Sequence, residues 1–241
     1  MKLDGVLLLA AFTPRSQAYA QAMSKADLHP EYVLFYGSSG GVLPGQSNEI
    51  TSSESDGQTF SPNFSEKLEK TAEKNSWDYK TLSASHINEQ AIFDELSGIK
   101  PKLVIYSGYG SQIVKPGLLN LASFLHIHSG WLPEYRGSTT LYYSWLKEGY
   151  CGVSAILLRK EIDTGPIIAR KRYPPPPPGV DPDYVYDSVI RSDLLIFVLQ
   201  EYSQHNKFIN LLNQPLVGNN YYVIHPVLKH IALLMNESMH S

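Results

Sequence analysis

Two histidines, His126 and His128, follow an apolar run and carry the clearest chemical signal in the chain. Side chains alternate between the faces of a strand, so both imidazoles are expected to project to one side. Neutral imidazole is a common metal ligand, but this segment contains no third histidine. A pair that is simply hydrogen-bonded is another alternative. We favour acid–base or electrostatic catalysis, for which histidine is well suited, and predict no metal.

Two further segments contain candidate functional residues. Asp163 lies in the polar sequence Glu-Ile-Asp-Thr-Gly-Pro at 161–166, between two β-rich runs. Taken alone, it fits an ordinary Asp-Thr-Gly turn equally well. Arg15 lies near the start of a predicted helix, where a phosphate or carboxylate can bind. A plain surface arginine is the commoner alternative.

Apolar, β-rich runs recur through the first half of the chain and are typical of buried strands. They cover residues 5–11, 31–36, 102–107 and 124–128, with a shorter candidate at 78–82. This alternation with helix-like segments predicts an α/β fold, a Rossmann-like open, mostly parallel sheet with helices on both faces. Ligands of such sheets bind beyond the carboxyl ends of the strands. No G-x-G-x-x-G motif follows the first strand, so a dinucleotide fingerprint is absent.

The helices between these strands are predicted from capping signals. Ser16 is expected to cap a helix over 16–25, and Ser61-Pro62 to open one that extends to about Glu73. Asn88 is expected to cap a third helix over 88–97, with Gly98 ending it. The polar stretch 37–58 is predicted to be a long loop.

The second half changes character after two predicted strands at 151–159 and 167–173. Five consecutive prolines follow, and a long helix is predicted over 182–203. Residues 216–225 suggest a hairpin and residues 226–235 a short helix. We therefore predict a catalytic domain at 1–178 and a short C-terminal helix and hairpin extension at 179–241, which is a candidate for homodimerisation.

Composition excludes several classes of partner. The 241 residues have a formal net charge of −3, so no basic excess favours nucleic acid. A single cysteine excludes an internal disulfide framework. No apolar run approaches the roughly 20 residues of a membrane span, and Asp4 interrupts the apolar start of the chain. These features predict a cytoplasmic protein with no membrane partner.

The two polar motifs together resemble the signatures of the folate-dependent formyltransferases. His-Ile-His-Ser-Gly-Trp-Leu-Pro-Glu-Tyr-Arg-Gly at 126–137 is similar to the family's Asn-x-His, Leu-Leu-Pro and Arg-Gly pattern. Residues 161–166 are similar to the second signature, acidic-x-Asp-Thr-Gly-Pro. The resemblance covers roughly residues 100–170. It implies formyl transfer from 10-formyltetrahydrofolate as co-substrate.

The resemblance also implies roles for individual residues. An amine attacks the formyl carbon, so the site needs a donor to the developing oxyanion and a group that moves protons. His128 and Asp163 match the family's catalytic pair, and His126 lies where the family has Asn. The expected folate contacts are Tyr109, Gly110, Ile113, Val114, Leu132, Glu161, Ile162, Thr164 and Gly165. The expected acceptor contacts are Arg15, Tyr135, Arg136 and Gly137.

The acceptor is the least determined part of this prediction. The layout is most similar to that of the nucleotide-sugar N-formyltransferases, so a nucleotide-linked amino sugar is the first choice. Members acting on methionyl-tRNA carry an additional barrel domain, for which the residues after 170 leave little room. The alternatives are a 10-formyltetrahydrofolate hydrolase, a purine-pathway-type formyltransferase, and a folate-binding protein with a decayed site. The last is motivated by His126, because losing one oxyanion donor typically costs about 10²–10³ in rate.

Overall fold

A computed structural model describes residues 1–38, 60–215 and 218–238. The predicted loop at 37–58 lies almost entirely outside these residues. In chain order the strands are β1 (Lys2–Ala11), β2 (His29–Tyr36), β3 (Tyr79–Leu82), β4 (Leu103–Ser107), β5 (Ser123–His128), β6 (Arg136–Gly137), β7 (Cys151–Leu157), β8 (Ile167–Tyr173) and β9 (Asn220–Tyr221). The α-helices are α1 (Pro14–Lys25), α2 (Leu68–Lys74), α3 (Gln90–Ile99), α4 (Pro116–Leu119), α5 (Thr140–Glu148), α6 (Asp187–His205) and α7 (Pro226–Ser238).

The main sheet has the strand order β3-β2-β1-β4-β5-β7-β8. The first five strands in this order, β3, β2, β1, β4 and β5, are parallel to one another. Strand β7 is antiparallel to β5, and β8 is antiparallel to β7. Because β4 lies on the other side of β1 from β2, the sheet has its switch point between β1 and β4. Ligand sites in open α/β sheets lie outside the carboxyl ends at such a point.

Helices cover both faces of this sheet, as alternate residues of β1 show. Leu8 and Ala10 contribute to a core with α1, α2, α5 and α6. Leu7 and Leu9 contribute to a second core with α3 and α4. The predicted α/β, Rossmann-like architecture is therefore confirmed. Among the described helices, none is both long enough and apolar enough to cross a bilayer.

Three predicted helix starts were wrong, each because a side chain binds elsewhere. Thr13, rather than Ser16, caps α1, and its hydroxyl accepts the Ser16 N–H at 3.2 Å. The second helix begins at Leu68, because the Asn63 carboxamide holds a turn by accepting the Ser65 N–H at 3.1 Å. The third begins at Gln90, and Asn88 instead bonds to the loop after β4.

The C-terminal region is in contact with the rest of the molecule. A π-helical turn at Pro182–Tyr186 leads into α6, whose Ile190, Leu194 and Val198 enter the core beside β1. The short strand β9 pairs with β6, so its partner comes from the segment after β5. Residues 216–217 of the predicted hairpin lie outside the described residues.

Candidate active site

His128 is the last residue of β5 and is only 4% exposed. Its Nε2 lies 2.7 Å from the carbonyl oxygen of Tyr135. Because a carbonyl can only accept, Nε2 must carry the hydrogen and donate it. The other ring nitrogen, Nδ1, lies 3.4 Å from Oδ2 of Asp163. The two predicted catalytic residues are thus in contact, and the side of the ring that faces Asp163 is the one that can gain or lose a proton.

Asp163 lies in the loop between β7 and β8 and is held there from two directions. The backbone N–H of Gly137 donates to its Oδ2 at 2.8 Å. The Gln214 carboxamide donates to the Asp163 carbonyl at 3.1 Å and to the Gly165 carbonyl at 2.5 Å. Asp163 has a φ of +54°, a left-handed conformation that non-glycine residues rarely adopt. These contacts hold the carboxylate against His128.

Two predicted site glycines are required by this arrangement. Gly137 has a φ of +102°, and a Cβ there would come within 2.0 Å of the Tyr221 carbonyl oxygen. A Cβ on Gly165 would come within 1.7 Å of the Leu157 carbonyl oxygen. Backbone at both positions therefore approaches its neighbour too closely for any side chain.

His126 lies two residues before His128, with the ring centroids 6.4 Å apart. Burial, followed by the positive charges of Arg191, Arg15 and His128, lowers its pKa well below the ordinary value. The ring is therefore neutral at physiological pH. Its Nδ1 is buried and has no hydrogen-bond partner among the residues that the structure describes.

These three side chains form one compact group. One ring nitrogen from each histidine and one carboxylate oxygen of Asp163 all lie within 4.8 Å of one another. A neutral imidazole, a second imidazole and a carboxylate in such proximity can donate to an oxyanion and move a proton. The same donor set can also hold a metal ion.

Residues 51–192 match the family described as Formyl transferase, and this segment is more than half of the 241-residue chain. The chain belongs to the formyl transferase family. This membership supports the prediction of formyl transfer, and 10-formyltetrahydrofolate is the formyl donor of the family.

Similar proteins differ in their acceptors. A methionyl-tRNA formyltransferase from Finegoldia magna is 32% identical over 91 residues, which are 36% of this chain and 29% of that protein. The chain thus spans less than a third of that curated relative. A sugar N-formyltransferase from a Shewanella species superposes with a TM-score of 0.56 and 18% identity, covering 98% of this chain and 87% of the other. A sugar 3N-formyl transferase determined with dTDP and 5-N-formyl-THF has a TM-score of 0.52 and 18% identity, with 90% and 69% coverage. These structural similarities establish the fold.

The predicted folate residues lie in two loops. After β4, Ile113 is 53% exposed, Val114 is buried and Gly110 is exposed. The Tyr109 ring packs edge-on against Tyr36, with centroids 5.7 Å apart. The Asn88 carboxamide ties this loop down, since it donates to the Ile113 carbonyl and accepts the Lys115 N–H, both at 2.8 Å.

The second folate loop is the one that carries Asp163. Ile162 is 49% exposed and Glu161 is exposed, whereas Thr164 is buried. The Thr164 hydroxyl donates to the Glu161 carbonyl at 3.0 Å, which closes the turn. Leu132 is fully buried beside Ile156 and Ile167. In each loop the structure therefore leaves one large apolar side chain half exposed.

Most of the predicted acceptor residues have side chains that bond to other groups of the protein. Tyr135 is buried, its hydroxyl donates to Glu148 at 2.5 Å, and its ring stacks on Tyr221. Arg136 is 2% exposed and donates to the Gln214 side chain and the Pro215 carbonyl. In the structure, both side chains brace the segment after β5. Arg15 is half-buried at the switch point, where its Nε donates to Ser107 at 3.2 Å.

Sequence reasoning missed a polar group behind the two histidines. Asp187 on α6 accepts a hydrogen bond from Ser129 and lies 2.9 Å from the Arg191 guanidinium. Arg191 also donates to the Ile127 carbonyl at 3.0 Å, between the two histidines. Asp187 and Arg191 are four residues apart on a predicted helix, and this spacing could have indicated an ion pair. Gln214 was also missed, and nothing around it in the sequence marks it.

Proposed function

We propose that this formyltransferase moves the formyl group of 10-formyltetrahydrofolate to the amine of a nucleotide-linked amino sugar. The observation that carries the chemistry is the contact of His128 with Asp163 beside a neutral His126. The sugar acceptor is supported by the sugar N-formyltransferase that superposes over 98% of this chain.

In the proposed reaction, the acceptor amine attacks the formyl carbon and the carbonyl oxygen becomes an oxyanion. Asp163, fixed by the Gly137 N–H, accepts the proton that the attacking nitrogen loses. His128 carries a proton on Nδ1 in its charged form, and this nitrogen faces Asp163. The Nδ1–H of His128 donates to the oxyanion, and its proton then passes to the folate nitrogen as that nitrogen leaves. The Tyr135 carbonyl keeps the opposite ring nitrogen protonated throughout.

His126 takes the part that an asparagine amide plays in the formyltransferases that the chain resembles. A neutral imidazole has one N–H and one lone pair, so it can donate to an oxyanion without carrying a charge. Burial and the nearby arginines keep the ring neutral. His126 is thus a substitute donor with the same formal charge as the amide.

The half-exposed side chains of Ile113 and Ile162 are proposed to contact the folate ring system. Apolar surface of this kind is suited to a flat heterocycle, whose edges then bond to the backbone of the Glu161–Gly165 turn. The other predicted folate residues, Tyr109, Gly110, Val114 and Leu132, shape or support these two loops.

Methionyl-tRNA is a second candidate acceptor, because the curated relative from Finegoldia magna is named for that reaction. Both acceptors present a primary amine, so the catalytic group serves either equally well. They differ in charge and size, and the formal net charge of −3 favours the smaller acceptor.

The deciding experiment measures formyl transfer from 10-formyltetrahydrofolate in three parallel reactions. One contains no acceptor, one a panel of dTDP- and UDP-linked amino sugars, and one methionyl-tRNA. Turnover only with an amino sugar supports the proposal. Turnover only with methionyl-tRNA replaces the sugar by tRNA, and rapid formate release without acceptor makes the enzyme a hydrolase. Folate binding without any turnover indicates a decayed site.

We also propose that the enzyme is a homodimer joined through α7. Large apolar side chains recur on this helix at Val227, Leu228, Ile231, Leu234 and Met235, and each is between 40% and 58% exposed. Their spacing of three and four residues forms one stripe along the helix. An exposed apolar stripe of this kind is typical of a protein–protein contact.

A further inference from the structure

The group formed by His126, His128 and Asp163 has the donor set of a transition-metal site. Imidazole nitrogen and carboxylate oxygen are ligands for zinc and similar divalent ions. The three ligand atoms lie within 4.8 Å of one another. Tetrahedral bonds of 2.0–2.1 Å place ligand atoms about 3.3 Å apart, and His128 Nδ1 and Asp163 Oδ2 are already separated by 3.4 Å.

The hydrogen bonds around His128 prepare its Nδ1 to bind a cation. Nε2 must donate to the Tyr135 carbonyl, so the neutral ring directs the Nδ1 lone pair at the Asp163 carboxylate. Two electron-rich atoms in contact favour a positive species between them, either a proton or a metal ion. A metal-bound histidine commonly donates its other N–H to a backbone carbonyl, which fixes the ring. His128 already makes this hydrogen bond.

His126 contributes the third ligand. Its Nδ1 is buried and finds no partner within the described part of the chain, a costly state for a polar atom. The ring is half-buried, and one of its nitrogens lies within 4.8 Å of the ligand atoms of His128 and Asp163. An asparagine amide at this position would offer a much weaker ligand for zinc.

The two arginines whose positive charge acts on His126 are each bonded to another group. Arg191 is paired with Asp187 at 2.9 Å. Arg15 is turned toward Ser107 and the Gly108 carbonyl. Asp163 supplies the negative charge, and the Gly137 N–H fixes its carboxylate. Three protein ligands leave a fourth position open, as in zinc sites that bind water or substrate.

We propose that His126, His128 and Asp163 form a binding site for one divalent transition-metal ion of the zinc type. Metal binding itself does not depend on the proposed formyl transfer. If that function holds, the two states exclude each other, because the metal occupies the atoms of His128 and Asp163 that must exchange protons. Zinc is then a reversible inhibitor, competitive with protons at this group.

The test uses the full chain after treatment with a chelator, titrated with ZnCl₂ by calorimetry and with Co²⁺ by visible absorption. We expect one tight zinc ion per chain and d–d bands of a low-symmetry cobalt site. His126→Ala should lower zinc affinity by at least about 100-fold, more than the loss of a ligand's hydrogen-bond partner typically costs. His205→Ala, on an exposed turn of α6, should bind zinc like the wild type.

Thermal melting of each variant without metal verifies that it is folded, and His126→Gln provides a second variant if His126→Ala unfolds. The inference is overturned if zinc binds to the wild type no more tightly than to a His126 variant. Formyl-transfer activity is measured in a separate assay that contains a chelator. Zinc binding without any transfer refutes the proposed function alone, and transfer without zinc binding refutes the metal site alone.

Discussion

At the scale of single residues, the location of each proton determines what the site can do. The Tyr135 carbonyl forces the hydrogen of neutral His128 onto Nε2, so its free nitrogen faces Asp163. Burial and nearby arginines lower the pKa of His126, so its ring remains uncharged. One histidine is thus able to exchange a proton with a carboxylate, whereas the other remains a neutral donor or ligand. Two residues of the same type, two positions apart, therefore have different chemistry.

Removing either member of the catalytic pair should reduce turnover strongly. Asp163→Asn and His128→Ala are each expected to lower kcat for formyl transfer by at least about 10², because each removes an acid–base group. Steady-state rates with the acceptor that supports turnover in the three-reaction assay provide the measurement. Asp94→Asn, on the exposed face of α3, is the matched control. Near-normal rates in both site variants would refute the mechanism.

The lowered pKa of His126 predicts a pH dependence of stability. In the unfolded chain its ring titrates near 6.5, whereas in the folded protein it remains neutral to lower pH. The unfolded state therefore binds the additional proton first, and the free energy of unfolding decreases as pH falls below about 6.5. His126→Asn removes this contribution, so its unfolding free energy should fall less between pH 7 and pH 5 in urea titrations.

The same variant reports on the role of His126 in catalysis. A higher rate of formyl transfer in His126→Asn would identify the histidine as an impaired substitute for the amide, and loss of transfer would give it a role of its own.

The control for the pH dependence of stability is His205→Asn, whose unfolding free energy should change with pH as that of the wild type does. Identical pH profiles for His126→Asn and the wild type would refute the assignment of a lowered pKa.

At the scale of elements, three segments converge on Asp163. The strand β5 supplies His128, the segment after it supplies the Gly137 N–H, and the segment after α6 supplies Gln214. The antiparallel strands β7 and β8 flank the loop that carries Asp163, and within this loop the carboxylate reaches His128 at the end of β5. The position of the carboxylate therefore depends on contacts that are distant in the sequence.

Gln214 is expected to act as a positioning residue. Gln214→Ala removes two hydrogen bonds to the Asp163 loop, so kcat should fall about tenfold, which corresponds to about 1.4 kcal/mol. KM for the acceptor should change little, because Gln214 bonds only to the protein. Gln200→Ala on the exposed face of α6 is the control. A change confined to KM would instead assign Gln214 to substrate binding.

These elements also show which features the sequence could predict. The strand pattern and the alternation of His126 and His128 depend on local periodicity, and both the sheet and the shared location of the two rings were predictable. The partner of His128 came only from the family resemblance. Asn88, Asp187 and Gln214 bind groups far away in the chain, and no local pattern encodes such contacts. The predicted start of the third helix failed for this reason, since Asn88 bonds to the loop after β4.

At the scale of the whole molecule, α7 presents an apolar stripe to the outside. If this stripe joins two copies, a charge at its centre should separate them. Ile231→Asp is expected to convert a dimer into a monomer in sedimentation-velocity experiments, because a buried unpaired carboxylate is costly. His230→Asp, beside the stripe, is the matched control. A wild-type protein that sediments as a monomer at all concentrations would rule out this dimer.

The contact of Gln214 with the Asp163 loop has a consequence for recombining this enzyme with its relatives. Gln214 lies beyond residues 51–192, the segment that matches the family. A chimaera that exchanges only the matched segment would transfer the proposed catalytic carboxylate and leave behind the side chain that holds its loop. Crossover points for such hybrids therefore belong after residue 215, so that the reacting group and its support are inherited together.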